Sequence, residues 1–259
     1  MNRISRLFAE KQANVLNMYF TAGYPNLEDT RTVLQALQDA QVDMVEIGMP
    51  YSDPVADGET IQESNQTALN NGMTVAKLFE QLAGVREASI GYPILLMGYF
   101  NPVFQYGVER FCKKCQELGI DGVILPDLPI EEYQLHYKAI FDAHSIFNIF
   151  LITPQTTESR IRLIDEISEG FIYMVSSASV TGKTSGISSE METYFNRVNN
   201  LGLRNPRMLG FGIKDKETFD KACQYASGAI IGSQFVRVLT EAKNLGDDIK
   251  AYVGSIRKD

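Results

Sequence analysis

Met-Val-Glu-Ile-Gly-Met, residues 44–49, is a short run in which every residue but one is apolar or glycine. Runs of this kind, rich in β-formers, recur as VLNMYF (15–20), PILLMGY (93–99), GVILP (122–126), NIFLI (148–152), FIYMV (171–175), RMLGF (207–211) and GAIIG (228–232), which makes eight. The segments between them carry helical spacing: Val33, Leu34, Leu37 and Ala40 share one face of a turn, as do Phe111, Cys112, Cys115 and Leu118. Near-continuous apolar strands alternating with amphipathic helices imply a parallel sheet covered by helices. Eight such units in 259 residues favour an α/β fold of the closed (βα)8 TIM-barrel kind over an open doubly wound sheet. No Gly/Ser/Pro-rich linker breaks the series, so residues 1–259 read as one barrel domain. The flanks, Met1 to Ala13 and Asp247 to Arg257, are expected to be extra helices capping it.

Composition narrows the function. With 44% hydrophobic and 22% charged residues the chain has the balance of an ordinary globular protein. A net charge of −8 weighs against nucleic acid or an anionic membrane as the main partner. An anionic ligand then needs a locally electropositive site, such as backbone N–H groups. The opening MNRISRLFAEKQANVL lacks the apolar core of a signal peptide, and no stretch approaches the ~18 apolar residues of a membrane span. Three cysteines cannot all pair with one another, so a reducing cytoplasm is the expected location.

Glu46 breaks the run that opens this section. Both faces of a barrel strand are buried, and an ionised carboxylate there costs several kcal/mol unless it is paired or its pKa rises until it holds a proton. A structural ion pair is one reading. The only basic residue inside any of the eight runs, however, is Arg207, at the start of the seventh and so at the far end of the barrel. The other reading is catalytic, because perturbed carboxylates cluster at active sites. Asp57 follows in the polar loop PYSDPVADGETIQ; alone, it reads equally as a turn former.

Glycine-containing turns follow the last three strands: SVTGKTSG (179–186), GFGIKD (210–215) and IIGSQF (230–235). Glycine commonly punctuates such junctions, but three on adjacent strand ends suit a phosphate pocket. The third leads into a helical segment, so Gly232 and Ser233 would offer N–H groups at a helix N-terminus.

Absences narrow the chemistry further. Only His136 and His144 occur, too few for a histidine-based triad or a three-ligand metal site, and no metal is expected. Cys112 and Cys115 form a CxxC on the apolar face of a helix and read as core residues. Strand six carries no Schiff-base lysine. What remains is acid–base catalysis, which cleaves a carbon–carbon bond only in a substrate with its own electron sink.

Together the segments MYFTAGYPN, VEIGMPYSDPVADGETIQ, LMGYFNPVFQYG, GVILPDLP, VTGKTSG, GFGIKD and AIIGSQFV resemble, in this order and spacing, the tryptophan synthase alpha chain family. The resemblance spans essentially the whole chain. It implies a lyase that splits indole-3-glycerol phosphate into indole and glyceraldehyde 3-phosphate, in L-tryptophan biosynthesis. Glu46 would be the general acid and base, protonating the indole carbon that bears the glycerol chain and taking the proton of the neighbouring hydroxyl. Asp57 would accept a hydrogen bond from the indole N–H, and Tyr173 would lie beside Glu46. Gly182, Gly212, Gly232 and Ser233 would bind phosphate through backbone groups. Tyr19, Met97, Ile124 and Ile152 would line the indole pocket, although core packing is the default for such strand residues. One departure stands in the loop after strand six: Ser179 occupies a position where the family usually has glycine.

The resemblance also implies an alpha2–beta2 heterotetramer with a beta subunit, the chain itself carrying no cofactor and pyridoxal phosphate residing only on the partner. Two sequence features fit a partner. FNPVFQYG places Phe100, Val103, Phe104 and Tyr106 on an expected βα loop, where aromatics mark a contact surface or fold inward to floor the pocket. The segment from Ser176 to Ser189 is small, polar and expected to stay open until substrate and partner hold it closed. The alternatives are a stand-alone indole-glycerol-phosphate lyase, a non-catalytic activating subunit, and another phosphate-binding barrel such as a sugar-phosphate isomerase.

Overall fold

The computed structural model describes residues 1–55, 57–175, 189–210 and 212–257. Its strands are β1 (Val15–Thr21), β2 (Met44–Gly48), β3 (Ile94–Met97), β4 (Gly122–Ile124), β5 (Phe147–Ile152), β6 (Ile172–Val175), β7 (Arg207–Gly210) and β8 (Gly228–Ile231). Each pairs in parallel with the next, and β8 returns to β1 to close the barrel. Strands β3 and β4 each end two residues before the end of the apolar run that contains them. Gly98-Tyr99 and Leu125-Pro126 begin the βα loops, and Pro126 has no N–H to give to a sheet.

Helix α1 (Arg3–Glu10) precedes the barrel and α2 (Asp29–Asp39) follows β1. The pair α3 (Glu59–Asn70) and α4 (Val75–Leu82) follows β2, and α5 (Phe100–Tyr106) with α6 (Val108–Leu118) follows β3. Between β4 and β5 run α7 (Ile130–Glu132), a π-helical turn (Tyr133–Tyr137) and α8 (Lys138–Ala143). Then come α9 (Glu158–Ile167), α10 (Ser189–Asn199) and α11 (Lys216–Cys223), with α12 (Ser233–Glu241) and α13 (Leu245–Arg257) after β8. Their starts are written in the sequence: Thr74 and Thr157 cap α4 and α9, and Asp215 with Thr218 forms a capping box at α11. Cys112 and Cys115 are fully buried on α6, as their spacing implies. No helix among the described residues is long and apolar enough to cross a membrane.

Parallel pairing decides which side chains point into the barrel, because paired residues share a face. Asn17 pairs with Ile230, Tyr19 with Glu46, Glu46 with Leu95, Met97 with Ile124, Leu151 with Tyr173 and Gly210 with Ile230. These residues form the interior set. Ile152 pairs with Met174, one residue out of step, and therefore faces the helices.

Of the two flanks expected to cap the barrel, only the first does. Ile4 of α1 is fully buried; a Cβ at Gly122 would meet it at 3.2 Å and one at Gly170 at 3.0 Å, so it plugs the N-terminal floor. Burying that side chain contributes about 1.5–3 kcal/mol. The C-terminal flank is corrected: α13 lies in the outer ring, packed chiefly against α2 and also against α11 and α12, with Ile249, Val253 and Ile256 as its buried stripe. The additional helix at the other end is α12, which packs on β1, α3 and α13.

Candidate active site

Glu46 is fully buried in the interior. Its Oε1 accepts a hydrogen bond of 2.6 Å from Asn17 Nδ2, and its Oε2 is buried without a partner among the described residues. Loss of hydration raises its pKa from 4.5 to about 8, against the Asn17 hydrogen bond, which lowers it. At neutral pH Glu46 is therefore mostly a neutral acid.

Two phenols flank it, and both need a glycine to fit. A Cβ at Gly48 would overlap the Tyr19 hydroxyl, and a Cβ at Gly210 would overlap that of Tyr173. Burial raises both phenol pKa values; Asp57 and then Glu46 add to this at Tyr19, Glu46 and then Asp57 at Tyr173. Both rings stay neutral and able to donate.

Asp57 stands in the loop that leads into α3. Tyr99, just beyond β3, donates to its Oδ2 at 3.3 Å, and Asn65 of α3 also hydrogen-bonds it. Burial lifts its pKa from 3.8 to about 6, and those two bonds restrain the rise. Two carboxyl groups near one cavity thus differ in state at pH 7: Glu46 holds its proton and Asp57 has lost it. Environment alone separates them.

The cavity has a volume of about 350 Å³. Tyr19, Asp57, Met97 and Tyr173 line its inner part. Its other side is formed by Gly212, Lys214, Gly232, Ser233 and Arg237. Gly212 has φ +77°, a conformation glycine adopts without steric cost. Gly232 is the N-cap of α12, whose first-turn N–H groups have no partner within the helix. With Lys214 and Arg237 beside them, they make this side of the cavity attractive to an anion despite the acidic chain.

Eight of the residues named from sequence come together here: Glu46, Asp57, Tyr173, Tyr19, Met97, Gly212, Gly232 and Ser233. Ile124 faces the interior but is fully buried and does not reach the cavity wall. Ile152 is corrected: register turns it outward, and Leu151 holds the interior position. Gly182 and Ser179 lie outside the described residues. FNPVFQYG is a helix, α5, and not a loop; the Asp127 carboxylate accepts from the Phe100 N–H at 2.8 Å at its start. Its rings do not floor the pocket. Val103 is buried, Tyr106 packs on Phe79 and Phe111, Phe100 lies against Tyr137, and Phe104 is exposed. Sequence reading also passed over Asn17, Asn65 and Tyr99. A lone amide inside an apolar run was the signal for the first; the others show only once the chain is folded.

Fold and site together define an α/β barrel of the acid–base type, with its working groups at the C-terminal ends of the strands. Residues 5–255 match the family model described as tryptophan synthase alpha chain. The chain belongs to that family. It is 56% identical to the tryptophan synthase alpha chain of Flavobacterium johnsoniae over 257 residues, 99% of this chain and 100% of the relative. To the alpha chain of Christiangramia forsetii it is 56% identical over 96% of this chain and 98% of that one. Among solved structures, tryptophan synthase subunit alpha from Legionella pneumophila superposes with a TM-score of 0.90 at 30% identity, covering 99% of this chain and 97% of that one. A chain of tryptophan synthase from M. tuberculosis, in an aminoacrylate-bound form, gives 0.86 at 29% identity, covering 99% and 98%.

Proposed function

We propose that this chain cleaves indole-3-glycerol phosphate into indole and glyceraldehyde 3-phosphate, the alpha reaction of tryptophan synthase. The observation that carries the reading is a fully buried Glu46 without a counter-charge among the described residues, set beneath a cavity that Asp57 lines, burial raising the pKa of Glu46 above that of Asp57. Glu46, as the acid, gives its proton to the indole carbon that bears the glycerol chain. Positive charge then develops toward the ring nitrogen, and the ionised Asp57 accepts the N–H hydrogen bond that stabilises it. Glu46, now a carboxylate, takes the proton of the adjacent hydroxyl. The carbon–carbon bond breaks, its electrons restore the indole ring, and the hydroxyl carbon becomes the aldehyde. Tyr19, Met97 and Tyr173 wall the ring, while the N–H groups at Gly212, Gly232 and Ser233 hold the phosphate.

This chain needs no cofactor or metal in the scheme. We read it as the alpha subunit of a cytoplasmic alpha2–beta2 heterotetramer whose beta subunit carries pyridoxal phosphate. In support, Val55, Phe104 and Leu135 are 87%, 55% and 75% exposed on the segments that follow β2, β3 and β4, at the same end of the barrel as the cavity. Large apolar side chains exposed on three successive βα segments suit a partner surface.

The test is steady-state cleavage of indole-3-glycerol phosphate by the chain alone and saturated with beta subunit, across pH. The reading expects a bell with limbs near pH 6 and 8, from Asp57 ionising and Glu46 losing its proton, and a faster rate in the complex. No cleavage in either state would remove the lyase. Equal rates with indole released freely would leave a stand-alone lyase.

A further inference from the structure

Asn17 has no role in the scheme above, yet its placement is hard to explain by stability. It is fully buried on β1, facing the barrel interior. A buried amide costs free energy unless its hydrogen bonds are met. One half is met, by the 2.6 Å bond to Glu46; its Oδ1 is buried without a partner among the described residues. An apolar side chain at this position would remove that unmet group, so stability alone would favour leucine or valine here. What the amide supplies, and leucine cannot, is an N–H aimed at one chosen oxygen of Glu46.

We propose that Asn17 is a positioning residue for Glu46: its N–H fixes Oε1 as the accepting, carbonyl-like oxygen, so that the transferable proton is carried on Oε2. The inference rests on the lyase reading, in which Glu46 is the acid. In a carboxylic acid one oxygen is a carbonyl and the other a hydroxyl, and an N–H donor pairs with the first. Among the described residues, Oε2 has no partner to compete with a substrate atom for the proton. After transfer, the same N–H stabilises the carboxylate while Oε2 is free to take the hydroxyl proton. One hydrogen bond thus serves both halves of the reaction and keeps the acid and base functions on a single atom.

Among the described residues, the titratable groups coupled to Glu46 are Tyr19 from β1 and Tyr173 from β6, and both also sense Asp57 in the loop after β2. The interior neighbours from β3 and β8, Leu95 and Ile230, carry no charge. Both tyrosines stay protonated, so the limb of the pH profile that belongs to Glu46 should answer to Asn17. The N–H favours the ionised carboxyl; removing it makes Glu46 hold its proton to higher pH.

Two measurements test this. In Asn17→Leu, saturated with beta subunit and assayed on indole-3-glycerol phosphate, the alkaline limb of kcat should move up by about one pH unit. kcat at neutral pH should fall roughly ten- to a hundredfold, with KM unchanged within about twofold, because orientation and not binding is lost. An unmoved limb with kcat near that of the native chain overturns the proposal. In the native chain, the side-chain amide protons of Asn17, followed by NMR, should titrate with the Glu46 carboxyl at one shared pKa, and this response should vanish in Glu46→Gln. Amide resonances indifferent to that titration overturn the proposal even if Asn17→Leu fails to fold. An active Glu46→Gln would instead sink the lyase assignment itself, a separate outcome.

Discussion

Glu46 and Asp121 are both carboxylates removed from water, one in the barrel beneath the cavity and the other at the floor, and they are treated in opposite ways. Asp121 accepts from Arg3 at 3.0 Å, from Arg86 at 2.8 Å and from the Ile94 N–H at 2.9 Å. Arg86 in turn donates to the carbonyls of Gly119, Ile90 and Tyr92. Glu46 receives one amide and no cation among the described residues. The floor satisfies its charge and ties α1 to the β3–β4 edge. Under the mouth the charge is left unmet, which turns burial into a raised proton affinity. In one barrel, the same residue chemistry makes a fastener where it is paired and a proton-holding acid where it is not.

Changing each carboxyl to its amide separates the two roles. Glu46→Gln should lower kcat about a thousandfold, measured as release of glyceraldehyde 3-phosphate. It should also stabilise the fold at neutral pH. The Glu46 pKa rises from 4.5 to about 8 on folding, so stability present below pH 4.5 is lost progressively as pH climbs to 8. By pH 7 the loss is on the order of 3 kcal/mol. Denaturant melts of native chain and Glu46→Gln should diverge as pH rises and converge near pH 4.5; equal stability at pH 8 would show that Glu46 is not held neutral.

Asp57→Asn keeps the shape but removes the negative charge that the proposed scheme sets opposite the developing indolium, and kcat should fall about a hundredfold. A rise in KM with kcat intact would make Asp57 a binding group only. At the anion side, a Cβ on Gly232 would meet Tyr19 and Ile61 at ordinary contact distances, 3.7 and 3.9 Å, so an added side chain enters beside the cavity wall. Gly232→Val should weaken glyceraldehyde 3-phosphate binding roughly tenfold, about 1.4 kcal/mol by calorimetry; unchanged affinity would place the phosphate elsewhere. Asp121→Asn should leave the turnover of folded chain as it was. It leaves two guanidiniums without their counter-charge and should cost about 3 kcal/mol, lowering Tm by roughly 5–10 °C. A loss of kcat in this variant, with Tm unchanged, would erase the contrast between floor and mouth.

Much of this was legible in the residues, for definite reasons. Strands buried on both faces must be apolar almost throughout, so eight such runs gave the barrel, and one carboxyl inside a run marked Glu46. The same continuity hid the register. With both faces apolar, NIFLI carries no alternation to say whether Leu151 or Ile152 points inward, and only pairing with Tyr173 and Met174 decides it. Asn17 escaped notice because an amide in a strand raises no alarm until its partner is known. The role of α13 was missed for a related reason: its buried stripe shows that the helix packs, but not against what.

The floor helix carries a consequence for how the chain is made. Ile4 is seated against Gly122 and Gly170, and Asn2 donates to the Asp121 and Ser145 carbonyls. A ribosome adding about 5–20 residues per second reaches Gly170 some 10–30 seconds after it has made Ile4. The second neighbour of β1 arrives later still, when β8 is complete at Ile231. For that interval α1 lacks its socket and β1 its closing strand. Helix α1 and strand β1 are thus made well before the elements they dock on, and β1 waits as an edge until β8 closes the barrel.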